Sequence, residues 1–209
     1  MARIDDYVAA KKLAAEKLAG EAFDAIVKRS GFDAPEPNVL RVPFLDRVYN
    51  VLFPGFDFSD EKSGEKEAPI QEQILILHYL LAPETPGPTG NWVAYREIPG
   101  AAFYFSAFVK RAVDPLKKTF GRNAAGLKQA SLRLGAKAVE PGDAAFEFSL
   151  FPRVRIRLIL WEGDAEFAPE ANILFDDAVG KIFSPEDIAW LAGMLVYRLM
   201  ALANPPGPK

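Results

Sequence analysis

Hydrophobic positions change period several times along the chain, and each change predicts a new element. From about Asp5 to Arg29, Ile4, Val8, Leu18, Ala22 and Ile26 fall roughly on one helical stripe among Ala, Lys and Glu, with Gly31 beyond them as a stop. One amphipathic first helix is expected. In NVLRVPFLDRVYNVLF the period shortens to two: Leu40, Val42 and Phe44 alternate before Leu45-Asp46, and Val48 and Leu52 alternate after it. That pattern predicts a β-hairpin. PIQEQILILHYLLA is apolar on almost every side, opens at Pro69 and stops before Pro83, which predicts a buried central helix.

Helical character returns from about Gly100 to Phe120 and from Asn123 to Leu134, with a break or kink expected at Asp114-Pro115. AAFEFSLF and RVRIRLIL read as two strands paired across Phe151-Pro152. The second places Val154, Ile156, Leu158 and Leu160 on one face and Arg153, Arg155 and Arg157 on the other. Ser184-Pro185-Glu186-Asp187 supplies an N-cap hydroxyl, a proline at N1 and an acid at N3, starting a helix that runs to about Ala203. The stretches SDEKSGEKEA and PETPGPTGNW are too polar or too rich in proline and glycine for regular structure. The predicted fold is therefore α+β: an antiparallel sheet of about four strands in two hairpins, packed with about five helices. A single domain is expected over 1–203, followed by a disordered tail, 204–209, since neither an internal repeat nor a second composition regime is visible.

Composition narrows the chemistry. With 50% hydrophobic and 12% aromatic residues the 209-residue chain can fill a substantial core. A net charge of −3 lacks the basic excess that general nucleic-acid binding requires. There is no cysteine and one histidine, His78, so cysteine-ligated metal, iron–sulfur clusters and cysteine nucleophiles are excluded within this chain. A divalent cation bound by carboxylates remains open as a cofactor. No G-x-S-x-G occurs, and His78 in ILILHYLL reads as a histidine in or near the core. The segment IAWLAGMLVYRLMALA is short for a membrane span and contains Arg198, and MARIDDYVAAKK has no apolar signal region. No membrane partner and a cytoplasmic location are expected.

The stretch WEGDAEFAPEANILFDD holds Glu162, Asp164, Glu166, Glu170, Asp176 and Asp177 and no basic residue. In extended geometry Glu162, Asp164 and Glu166 would project from one side about 7 Å apart and could grip a hard cation or act as general acid and base. The EF-hand pattern fails, because its glycine and closing glutamate would fall at Phe167 and Ile173. The competing reading is a solvated turn whose acids pair with Arg153, Arg155 or Arg157. Those arginines, with Trp161 or Tyr95 as a flat surface, could instead receive a phosphate or carboxylate. Trp92, Tyr95, Arg96 and Glu97 mix aromatic and ionic groups as ligand pockets do.

LILHYLL, GNWVAYREIPGAAFY, LFPRVRIRLILWEGDAEFAPEANILFD and SPEDIAWL together resemble a prokaryotic family known as domain of unknown function 3786, over about residues 20 to 203. Trp161, Glu162, Gly163, Asp164, Glu166, Phe167 and Asp176 match the family pattern, whereas Arg155 and Arg157 fall where it more often has proline and apolar residues. The resemblance implies no catalytic residues. It implies a setting beside anaerobic corrinoid and iron–sulfur metabolism, since some members look fused to an iron–sulfur module. The shared motif also has a structural reading: Trp161 and Phe167 anchor the loop in the core while Asp176 caps or turns the chain.

The leading expectation is an accessory module that binds a small molecule or a protein partner through Trp92, Tyr95, Arg96, Glu97, Arg153, Trp161 and Asp176. Its rival is a divalent-metal enzyme using Glu162, Asp164, Glu166 or Asp176. A third is a homodimer assembled through the apolar C-terminal helix.

Overall fold

The computed structural model describes residues 4–62, 68–83 and 87–204. The fold is α+β, with two antiparallel sheets of four and five strands. The described residues divide into two compact units, one of residues 4–83 together with 181–183, the other of 87–180 and 184–204. The predicted tail lies outside the described residues from 205 onward, as do 63–67 of the charged connection and 84–86 of the proline/glycine loop.

The first unit opens with two helices where one was predicted, α1 (Ile4–Ala19) and α2 (Phe23–Ser30). The chain turns at Gly20, where Glu21 donates to the Leu18 carbonyl, and the turn resets the helical phase. Leu18 and Ile26 are buried as expected, whereas Ile4 and Val8 are exposed. Gly31 ends α2 in the left-handed region (φ 72°), with its N–H on the Val27 carbonyl at 3.1 Å.

Four strands follow in sequential order: β1 (Asp33–Glu36), β2 (Val39–Phe44), β3 (Arg47–Leu52) and β4 (Asp57–Asp60). The β2–β3 hairpin turns at Leu45-Asp46, as predicted. Its register sets Val42 opposite Tyr49 and Leu40 opposite Val51, so the inward residues of β3 are Tyr49 and Val51 rather than Val48 and Leu52. Helix α3 (Ile70–Leu81) buries Ile74, Leu75, Ile76, Leu77, Tyr79 and Leu80, as its all-round hydrophobicity requires.

In the second unit the five-stranded sheet runs β5-β9-β8-β7-β6. Its elements are β5 (Trp92–Ala94), helical turns at Tyr95–Glu97 and Ala101–Tyr104, α4 (Phe105–Phe108), a π-helical turn at Val109–Val113, α5 (Asp114–Phe120) and α6 (Ala124–Arg133). After these come β6 (Lys137–Ala138), β7 (Ala144–Phe151), β8 (Val154–Trp161), β9 (Glu170–Asp176), the single turn α7 (Val179–Ile182), whose last two residues group with the first unit, and α8 (Pro185–Ala203). The break expected at Asp114-Pro115 does not occur, because Asp114 keeps helical angles (φ −65°, ψ −46°). A wider π turn just before it accommodates the proline, which has no N–H to donate.

β7 and β8 pair as predicted, Phe151 opposite Val154. Arg153, however, lies in the turn between them and is buried, so only Arg155 and Arg157 share the polar face. Strand β9 was not expected: EANILFD begins with poor strand formers, yet it pairs with β8 along its whole length. Val154, Ile156, Leu158 and Leu160 form a buried face, as do Phe146 and Phe148 of β7 and Ile173 and Phe175 of β9. Helix α8 carries the predicted capping box, Ser184 with Asp187. Its Ile188, Leu191, Leu195, Val196 and Leu199 are fully buried, so the apolar stripe offered above as a dimer surface is core, with Tyr197 left exposed. Among the described residues no helix is long and apolar enough to cross a membrane.

Candidate functional site

Close approach of backbone to backbone shapes the corner that holds the acidic segment. Gly163 donates its N–H to the Gly121 carbonyl at 2.8 Å. A Cβ on Gly121 would stand 2.6 Å from Pro169 Cγ, and one on Gly163 would stand 2.6 Å from Pro169 Cδ. Neither position has room for a side chain. The loop after β8 is thereby locked to the turn between α5 and α6.

The carboxylates of this corner bind backbone N–H groups. Glu162 Oε1 accepts from Ala124 N at 2.7 Å, beside Asn123, whose Oδ1 accepts from Gly126 N at 2.9 Å, so α6 has two side chains capping its first turn. Asp164 Oδ1 accepts from the N–H groups of Phe167 and Glu166, each at 2.8 Å. Those two bonds, the Phe167 bond foremost, hold its carboxyl below the usual carboxylate range. Asp143 Oδ2 accepts from Glu162 N at 2.7 Å, and Arg122 Nη2 donates to the Asp164 carbonyl at 3.2 Å.

Residues 162–166 are thus not extended, since Asp164 N closes a turn on the Phe167 carbonyl at 3.0 Å. Glu166 is exposed. Among the described residues no group of three or more of His, Asp and Glu is placed to hold a metal ion. Nor do the aromatic residues anchor the loop in the core: Phe167 is 70% exposed and Trp161 is half-buried at the end of β8. Gly121, Gly163 and Pro169 take that role.

Beside the corner, the last turn of α5, residues 121–123 and Pro169 border an open cleft of about 330 Å³, lined by Lys117, Lys118, Thr119, Arg122 and Asn123. Among the described residues neither Lys117 nor Lys118 has a carboxylate within ion-pairing distance. Sequence alone does not single these residues out, because LKKTFGRN reads as a helix end and its connection. The signal was three cations within six positions of an otherwise acidic chain.

Asp176 is 1% exposed and fully engaged. Its oxygens accept from Gly90 N at 2.7 Å, Thr89 N at 3.0 Å and Ala178 N at 3.1 Å. The expected capping role is the one it fills, fixing residues 89–90 against the end of β9.

Of the four candidate residues between Trp92 and Glu97, Tyr95 and Arg96 share the Phe105 ring, whereas Trp92 and Glu97 have other partners. Trp92 lies on the sheet face under the Arg157 guanidinium (3.9 Å), and Arg157 also donates to Glu147 at 2.8 Å, with Arg155 on the same carboxylate at 3.4 Å. Tyr95 is buried, stacked on Phe108 at 4.2 Å, and donates to the Pro185 carbonyl at 2.7 Å. Burial pushes its phenol up to about 12. Arg96 covers the Phe105 ring at 3.7 Å, and Glu97 accepts from Ala94 N at 2.5 Å.

The first unit holds a buried polar cluster that adjacency in sequence did not announce. Tyr49 donates to Glu72 Oε2 at 2.5 Å, Arg47 Nη1 donates to the Tyr49 oxygen at 3.2 Å, and Arg47 Nε stands 3.9 Å from Asp60. Burial raises the Glu72 carboxyl above its ordinary value. Burial, reinforced by Glu72, holds the Tyr49 phenol protonated. A separate open groove of about 520 Å³ lies between the start of α2 and the β1–β2 turn, lined by Phe23, Asp24, Pro35, Glu36, Pro37 and Asn38. His78 is half-buried in the last turn of α3.

These elements define an α+β protein whose acidic corner is built as a backbone clamp. The chain belongs to the family described as a domain of unknown function (DUF3786), whose family model matches residues 22–198. Comparison with curated proteins and with solved structures gave no match.

Proposed function

We propose that the chain is a binding module, taking a small molecule or the charged group of a partner at the corner between the WEGD loop and the α5–α6 turn. One observation carries this reading. Glu162 and Asp164 each give one oxygen to backbone N–H groups, and the loop they fasten borders a cleft whose lysines have no ion-pairing carboxylate among the described residues. A preformed cleft with a few convergent polar groups is what binding requires.

Native mass spectrometry of the gently purified chain, without chelators, tests the reading. An organic or phosphorylated adduct supports it. A stoichiometric divalent metal lost on Glu162→Gln would replace it with the metal-enzyme reading.

A further inference from the structure

We propose that the cleft formed by Lys117, Lys118, Thr119, Arg122, Asn123 and Pro169 is a site for the phosphoryl group of a small phosphorylated molecule; the proposal rests on the reading of the chain as a binding module.

The charge pattern comes first. The chain as a whole carries −3, yet three cations meet at one cleft. Arg122 is already engaged, its Nη2 on the Asp164 carbonyl and its charge acting on the Asp164 carboxylate. Lys117 and Lys118 remain without an ion-pairing carboxylate among the described residues. Two uncompensated ammonium groups match the charge of roughly −1.5 to −2 on a phosphate monoester near neutral pH better than the single charge of a carboxylate. Lysines in the last turn of a helix also complement its dipole, but that role needs neither a cleft nor Arg122 in its lining.

Neutral donors complete the set. Asn123 commits its carbonyl to Gly126 N, which leaves its amide N–H groups to donate, and Thr119 adds a hydroxyl. The site does not depend on the open end of a helix, since Ala124 N and Gly126 N of α6 are already taken by Glu162 and Asn123. Its wall is fixed by the contact of Gly121 and Gly163 with Pro169, so little ordering remains to be done on binding. A volume of about 330 Å³ is at the small end for ligand pockets, enough for a phosphoryl group with a compact organic body.

The test is a titration of the full-length ¹⁵N-labelled chain with inorganic pyrophosphate followed by amide NMR shifts, with sodium chloride at matched ionic strength as control. Saturable shifts confined to residues 117–124 are expected, weakened on the order of tenfold in K117Q/K118Q, which removes two charge-assisted contacts. The charge-matched control K17Q/K28Q, at exposed lysines of α1 and α2, should bind as wild type does. Dispersed spectra of all three proteins exclude unfolding as the cause. Shifts that are absent, that do not saturate, or that K117Q/K118Q leaves unchanged overturn the site. If native mass spectrometry nonetheless shows a retained metabolite, the module reading survives without this site; if both fail, both fall.

Discussion

The N–H of Gly163 meets the carbonyl of Gly121 at 2.8 Å, and through that bond the acidic loop after β8 becomes part of the α5–α6 turn. A segment that reads in sequence as a cluster of charges is, in the fold, a fastening. Its glycines allow contact with Pro169, its Glu162 caps a helix, and its Asp164 closes its own turn.

Gly121→Ala and Gly163→Ala should each destabilise the protein by about 1 to 3 kcal/mol, because each new Cβ would overlap Pro169, and on Gly121 the Lys117 carbonyl as well. Gly180→Ala is the control, since its Cβ would meet Ile98 at an ordinary 3.6 Å. Urea unfolding midpoints measure the difference. Equal stability of all three variants would mean that the corner is loosely packed.

Asp176→Ala should cost about 1 to 3 kcal/mol, because it takes the acceptor from the buried N–H of Ala178 and from the part-buried N–H groups of Gly90 and Thr89. Hydrogen exchange at residues 89–90 should accelerate in the variant before global unfolding. An unchanged unfolding midpoint with unchanged exchange would mean that Asp176 does not hold residues 89–90 in place.

Glu72 should give stability a pH dependence opposite to that of an ion-paired carboxylate. Its folded-state pKa is raised above the unfolded value, burial being the first cause, so between the two values the native state holds the proton and the unfolded state does not. Stability therefore falls as pH rises through that window and is greatest below the unfolded value. Glu72→Gln keeps the shape and an acceptor for the Tyr49 hydroxyl without the titration. Subtracting its urea-unfolding profile from that of the wild type should leave a decline from acidic toward neutral pH. A flat difference, or one that rises, would contradict the assignment.

Elements with a long, regular pattern were legible in sequence. The β7–β8 hairpin, α3, and the Ser184-Pro185-Asp187 start of α8 each followed from local period and cap chemistry. What was not legible depends on partners distant in the chain. Strand β9 is defined by its pairing with β8 and β5 rather than by its own residues. Tyr49 joins Arg47 and Glu72 only because the hairpin register turns it inward. Spacing alone sets the acids of 162–166 along one extended side; a single Asx turn at Asp164 alters every direction after it. Phe167 shows the same limit, since its hydrophobicity favoured the core and the turn leaves it in solvent.

The most direct measurement is the thermal midpoint of wild-type chain and of Glu162→Gln, each with Mg²⁺, Ca²⁺ or Mn²⁺ and with a chelator. Glu162→Gln keeps an acceptor for Ala124 N but loses the charge at the N-terminus of α6, so a capping Glu162 predicts a variant less stable by about 0.5 kcal/mol in every condition, with no response of the wild type to metal. A wild-type midpoint that climbs with one of these ions, and ceases to climb in Glu162→Gln, would contradict the clamp and make the corner a metal site.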